Sequence, residues 1–245
     1  MTRYGSANVG FLLVGGMDVL GDVTQLEDVR EALTEDVTVL GDAWEQHAAV
    51  GVKRYTLSQQ GFYNDAANRS NAALITPGAS KVLAFAPEGN TLGKRFVGSG
   101  MVEASYTRQL SRGALHKANA EYLANTAHDE GIILHALGAE TAASGNTEGA
   151  SSQDNLASSA LGGAAYLQVT ALTLGGFTNV TFKVRHSADD VTYADLATFA
   201  VVAAAPAAER VAVAGTVNRH LAHSWLFNGA GGGQSVSYVV GFARN

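Results

Sequence analysis

Residues 34–65 read TEDVTVLGDAWEQHAAVGVKRYTLSQQGFYND. The stretch opens with acids, carries a single Trp, and then alternates polar with apolar residues. Over GVKRYTLSQQGFY, Val52, Arg54, Thr56 and Ser58 oppose Lys53, Tyr55, Leu57 and Gln59, the period of two that predicts a half-buried strand. Upstream, VTQLEDVREAL (23–33) is open to two readings. Leu26, Val29, Arg30 and Leu33 suit a helix, but EDVTVL continues without a stop, and a long strand is favoured. Two long strands around an acidic connection set the expectation of a mainly β fold.

Bulk composition agrees. The chain has 245 residues, of which 47% are apolar and 16% charged, so it can bury a sizeable core and is not disordered. Its 28 Gly and 3 Pro favour strands joined by glycine-rich turns. The net charge is −6, and residues 1–145 carry most of it, with 11 Lys/Arg against 16 Asp/Glu. That balance opposes a broad grip on nucleic acid, which depends on cations replacing counterions. An acidic wall can still let a polyanion pass without sticking. With no cysteine, disulfides and thiolate metal sites are excluded. The run from Val9 to Met17 is followed by Asp18 and Asp22 and reads as a first strand rather than a secretory signal. The apolar stretch FAVVAAAPAA (199–208) is too short to span a membrane and is broken by Pro206. No membrane partner is expected.

One composition shift divides the chain. AETAASGNTEGASSQDNLASSALGG (139–163) is small, polar and aperiodic, the pattern of a linker. The expected organisation is therefore a domain over 1–140, a linker over 141–163 and a small β-sandwich over 164–245. Before the linker, NDAANRSNAALI (64–75) is the best helix candidate, capped by Asn64 or Asp65, with Ala67, Asn71 and Leu74 on one face. Strands are expected at 81–86, 94–107, 116–124 and 131–137. After it, VTFKVR places Val180, Phe182 and Val184 inside, and SVSYVVGFAR lines Val236, Tyr238, Val240 and Phe242 on one face.

A search for chemistry finds no constellation. The seven His form no HExxH motif, and His220 and His223 fall on opposite faces of a strand. In AHDEGIILH, His128, Asp129 and Glu130 point apart on extended chain and read as a polar turn. There is no G-x-S-x-G elbow, and the glycine pairs do not lead into helices. No cofactor and no metal is expected. Trp44 and Trp225 each suit stacking on a ligand, although core packing is the commoner fate of a lone Trp.

Residues 33–74, LTEDVTVLGDAWEQHAAVGVKRYTLSQQGFYNDAANRSNAAL, resemble the major tail tube proteins of long-tailed bacteriophages. The likeness lies in an acidic loop with T-x-LGD and an aromatic, a strand, a G-F-Y-N-D end and a flanking helix. Residues 81–135 resemble that family's second pair of strands, so the likeness covers about the first 140 residues. The C-terminal part, with FKVRHSADDVTYADLATF and ERVAVAGTVNRHLAHSW, resembles accessory β-sandwich modules of phage structural proteins. The resemblance implies a tail-tube-type β-sandwich or barrel with one flanking helix, and a structural, non-enzymatic virion protein of the tail. It implies homo-hexameric rings whose strands join into one inner barrel, stacked into a tube with other tail proteins, with transient passage of DNA. The acidic loop around Glu35–Glu45 would be the inter-subunit or inter-ring arm, giving Glu35, Asp36, Val37, Val39, Leu40, Trp44, Tyr55 and Phe62 as candidate interface residues. The bland alternative is a hairpin packed on its own subunit. Other readings are a capsid- or fibre-associated module that binds carbohydrate or a receptor through Trp225, and a hydrolase. Removing 164–245 is expected to leave tube formation intact if that part only decorates the outside.

Overall fold

The computed structural model describes residues 5–245, and strands dominate it. In chain order they are β1 (Leu12–Val14), β2 (Met17–Asp18), β3 (Val23–Asp36), β4 (His47–Phe62), β5 (Ser80–Phe85), β6 (Arg95–Gln109), β7 (Lys117–Ala124) and β8 (Asp129–Glu140). There follow β9 (Ser144–Asn146), β10 (Gln153–Asp154), β11 (Gly163–Thr173), β12 (Asn179–Ser187), β13 (Ala194–Thr198), β14 (Ala207–Val213), β15 (His220–Asn228) and β16 (Ser235–Arg244). One short helix, α1 (Ser70–Leu74), lies between β4 and β5.

All pairings between these strands are antiparallel, and they build two sheets. The larger runs β14-β11-β16-β8-β6-β5-β1-β2, and the smaller runs β10-β15-β12-β13 with β9 also on β15. Strand β6 makes the larger sheet branch. Its first residues, Arg95–Gly98, pair with β8, whereas Met101–Gln109 pair with β7 across an irregularity between Glu103 and Ser105. From β7 the branch continues to β4 and then to β3. Among the described residues neither sheet closes into a barrel.

The alternation over Val180–Val184 becomes β12 as expected, with Val180, Phe182 and Val184 turned inward. They meet Ala165, Leu167 and Val169 of β11 and Val236, Tyr238, Val240 and Phe242 of β16, which fill the space between the sheets. Strand β16 is buried on its other face too, where Val239 packs with Phe96, Ile133 and Tyr166. A third cluster, of Leu12, Val14, Leu57, Leu74, Leu83, Met101 and Tyr122, joins β1, β5 and β6 to β4, β7 and α1.

The expected break at 141–163 is not a break in the fold. The larger sheet draws β8 from before it and β11, β14 and β16 from after it, and the segment itself supplies β9 and β10 to the smaller sheet. Its residues lack alternation because they make short edge pairings and side-chain turns. Asp154 accepts from the Leu156 amide at 2.8 Å, and Ser152 donates to Asp190 at 2.6 Å. Residues 164–245 therefore share the larger sheet with the strands before the segment.

The helix is also shorter than expected. Asn68 sits at φ 59°, a left-handed conformation that an α-helix does not accommodate, so only Ser70–Leu74 coil. Neither expected side chain caps it: Asn64 Oδ1 closes a local turn on the Ala66 amide at 3.0 Å, while the Asn64 backbone carbonyl accepts from the Asn71 amide at 2.9 Å and Asp22, from upstream of β3, accepts from the Ser70 amide at 3.3 Å.

Candidate assembly surfaces

The paired strands β3 and β4 run past the body of the molecule. Their register carries Ala32 opposite Lys53, Thr34 opposite Ala49 and Asp36 opposite His47. From Tyr55 back to His47, β4 has no partner other than β3 among the described residues, because β7 ends opposite Thr56. Every side chain from Arg30 to Arg54 except Asp42 is exposed. A two-stranded ribbon therefore projects from the sheet, and such a ribbon is marginal in water by itself. The pairing shifts between Ala32 and Thr34, where Val50–Val52 face Leu33 across a bulge. Gly51 makes it possible, at φ 79°, where a side chain would be strained.

The ribbon carries apolar residues that water wets. Leu33, Val37, Val39, Leu40, Val50 and Val52 are all exposed, and Trp44 is 84% exposed at the tip. The tip of the hairpin is left uncovered by its own subunit. The tip is nevertheless an ordered turn. Asp36 accepts from the Thr38 amide at 2.9 Å, Thr38 Oγ1 accepts from the Gln46 amide at 2.9 Å, and Asp42 Oδ2 accepts from the Val39 amide at 2.9 Å. The Thr38 hydroxyl and amide together hold the Asp36 carboxyl below its ordinary pKa, so it is charged at neutral pH. Glu45 pairs with His47 at 3.2 Å.

The candidate residues drawn from the sequence thus fall in three places. Glu35, Asp36, Val37, Val39, Leu40 and Trp44 gather at the free end of the ribbon. Tyr55 is instead 6% exposed, packed in the core edge-on against His128 at 4.5 Å, and burial pushes its hydroxyl pKa up. It serves its own subunit and is withdrawn from the interface. Phe62 lies at the opposite end of β4, opposite Lys117 and 39% exposed.

That opposite end holds a surface the sequence reading passed over as a connection. The turn between β6 and β7, RQLSRGALHK (108–117), exposes Leu110 and Leu115 and presents Arg108, Arg112 and Lys117 without any acid. The signal was available in that run of cations and leucines, but its placement depends on strand register. Register alone puts Gln109 and Lys117 at the Phe62 end of β4 and not beside the ribbon.

A third feature is an edge. Among the described residues strand β3 pairs only with β4, so its outer side offers unpaired backbone donors and acceptors along most of Val23–Asp36. Such an edge is a template for another strand.

The polar residues singled out for chemistry are structural here. Asp129 is buried, not part of a solvated turn: its Oδ2 accepts from Arg210 at 2.7 and 2.9 Å and from the Tyr166 hydroxyl, tying β8 to β11 and β14. Glu130 points the other way, to Arg30 at 2.6 Å. His223 is fully buried between the sheets, with Thr147 Oγ1 at 3.0 Å and the Tyr238 hydroxyl at 2.9 Å, and burial drives its pKa well down. Trp225 stacks on it at 5.6 Å and donates Nε1–H to the Ala142 carbonyl at 3.2 Å. Being buried, Trp225 offers no open face for a sugar ring.

No protein-family model and no curated protein matches the chain. Among solved structures it is similar to a chain from the tail of an empty gene transfer agent particle refined with C6 symmetry, at 16% identity and TM-score 0.36, over 44% of this chain and 80% of that one. It is similar to a chain of the native gene transfer agent virion, at 14% identity and TM-score 0.39, over 52% and 98%. The SPP1 Dit protein, described as a paradigm of the hub of the adsorption apparatus in phages infecting Gram-positive bacteria, is similar at 9% identity and TM-score 0.37, over 95% and 98%.

Proposed function

We propose that the protein is a structural subunit of a bacteriophage-type tail, completed by other copies of itself. One observation carries this: a projecting ribbon with an exposed Trp and valines, beside a long strand edge that has no second partner among the described residues. Apolar surface and free backbone of that kind are satisfied by association. In the reading that the sequence resemblance favours, six copies close a ring, rings stack into a tube, and DNA passes through without specific binding. Other tail proteins would meet its ends, and its place is the virion. Its interface residues are Glu35, Asp36, Val37, Val39, Leu40, Trp44 and Phe62, and its work is geometry, not catalysis. The carbohydrate-binding alternative loses its support in the burial of Trp225.

Electron microscopy of the purified chain at rising concentration tests the reading. Sixfold rings or tubes are expected. A monomer at every concentration, also in sedimentation, would remove it.

A further inference from the structure

The two ends of β4 carry opposite chemistry. At the ribbon end, residues 33–52 contain Glu35, Asp36, Asp42 and Glu45 and no Lys or Arg. At the other end, residues 108–117 contain Arg108, Arg112 and Lys117 and no Asp or Glu. Both ends are also apolar. Val37, Val39, Leu40 and Trp44 crown the first, while Leu110 and Leu115, 69% and 72% exposed, crown the second beside Phe62.

The basic turn is not occupied within its own subunit. The Arg108 guanidinium lies 5.9 Å from the ring centroids of Tyr63 and Tyr106, which support its position without neutralising it. None of Arg108, Arg112 and Lys117 forms an ion pair among the described residues. Nor can the acidic tip of the same chain reach it. Strand β4 has 16 residues, and at about 3.4 Å each they separate the ends by up to about 50 Å.

We infer that the ribbon tip of one copy docks on the 108–117 turn of a second copy, head to tail. The inference rests on the assembly reading above and names the contact that would stack one layer on the next. Donor and acceptor are different patches of one surface, so the contact is heterologous: each docking leaves a fresh tip and a fresh turn, and growth does not stop at a dimer. Charge also sets direction. Tip against tip brings acid to acid, turn against turn brings cation to cation, and both inverted arrangements are disfavoured. The leucines, valines and Trp44 then supply burial that the charges orient. Because the charges sit on exposed side chains, association weakens as salt rises.

The test uses the full chain and the concentration threshold for assembly, read by light scattering and sedimentation at low salt. Arg112→Glu with Lys117→Glu opposes acid to acid and is expected to raise the threshold at least tenfold. Adding Glu35→Lys and Glu45→Lys to that same chain should lower it again, although these two changes alone raise it in the otherwise unaltered protein. Asp36 and Asp42 are left in place because they hold the turn. Circular dichroism melting confirms that each variant is folded; should the reversed chain melt early, Arg112→Gln with Lys117→Gln replaces it, with a smaller rise expected. If the unaltered chain never assembles, the tail reading fails and this contact with it. If it assembles and Arg112→Glu with Lys117→Glu leaves the threshold unchanged, the contact is wrong while the tail reading stands. A loss that Glu35→Lys and Glu45→Lys do not repair assigns the basic turn to another partner surface and overturns the contact equally.

Discussion

Trp44→Ala separates assembly from folding more cleanly than any other single change. Trp44 is 84% exposed and the ribbon tip around it, Val37 to Leu40, is exposed as well, so the monomer loses little packing. Exposed substitutions of that kind stay within about 0.5 kcal/mol of stability. For a chain of this size that moves the melting temperature by no more than about 2 °C. Assembly is different. An aromatic side chain buries about 150–250 Å², which at about 25 cal/mol per Å² sets an upper figure of about 4–6 kcal/mol. Truncating a central interface Trp typically costs about 2 kcal/mol or more, and 2 kcal/mol is about a 30-fold change in affinity. The expected outcome is therefore an assembly threshold raised about 30-fold, seen by light scattering, with an unchanged thermal melt. A melting temperature lowered by 5 °C or more, or an unchanged threshold, would refute the reasoning: the first would return Trp44 to a core role, and the second would leave it outside the contact.

Other consequences concern the fold that presents these surfaces. Asp129→Ala leaves the partly buried Arg210 and the buried Tyr166 hydroxyl without their shared partner, a loss of about 3 kcal/mol, and should lower the melting temperature by about 10 °C in calorimetry. His223 is held neutral by burial and by the nearby His135, so its folded pKa lies below the unfolded value of about 6.5. Below that pH the unfolded chain binds the extra proton, so stability is full above about pH 6.5 and falls as pH drops, by up to about 1.4 kcal/mol per pH unit for this one group. Urea titrations from pH 7.5 to 5 should show a slope of that sign, and His223→Phe should reduce it, leaving the smaller contributions of His128 and His186, whose pKa values burial also lowers. Ending the chain at residue 163 removes β11, β14 and β16 from the larger sheet and uncovers Phe96, Ile133 and Leu134. Calorimetry should then show no cooperative transition.

Much of the architecture was legible because period-two patterning is a local property. The inward triad Val180, Phe182 and Val184, the run Val236 to Phe242, and the long strands on either side of the acidic loop all appear in the sequence as they appear in the fold. What stayed hidden depends on distant partners. Segment 141–163 resembles a linker because its strands, of three and two residues, are too short to show alternation, and their order comes from β15. Asp129 reads as a turn residue until Arg210, 81 positions on, is brought against it. Tyr55 and Phe62 follow Trp44 closely in the sequence, yet one faces the core and the other lies at the far end of β4. The basic turn at 108–117 was visible as composition. Its position opposite the acidic tip is a matter of register, and one sequence does not display register.

Because the chain contains no cysteine, a pair of introduced thiols reports on the proposed contact directly. Leu40→Cys with Leu115→Cys places one thiol on the ribbon tip and one on the basic turn, both exposed. A disulfide needs Cα atoms within about 7 Å, far less than the length of β4, so the two cannot join within one copy. Head-to-tail docking gives a ladder of dimers, trimers and longer covalent chains on a non-reducing gel after mild oxidation, collapsed by reductant, while either single substitution gives no ladder. Assembly into tubes with no ladder, or dimers alone from the doubly substituted chain, would contradict it.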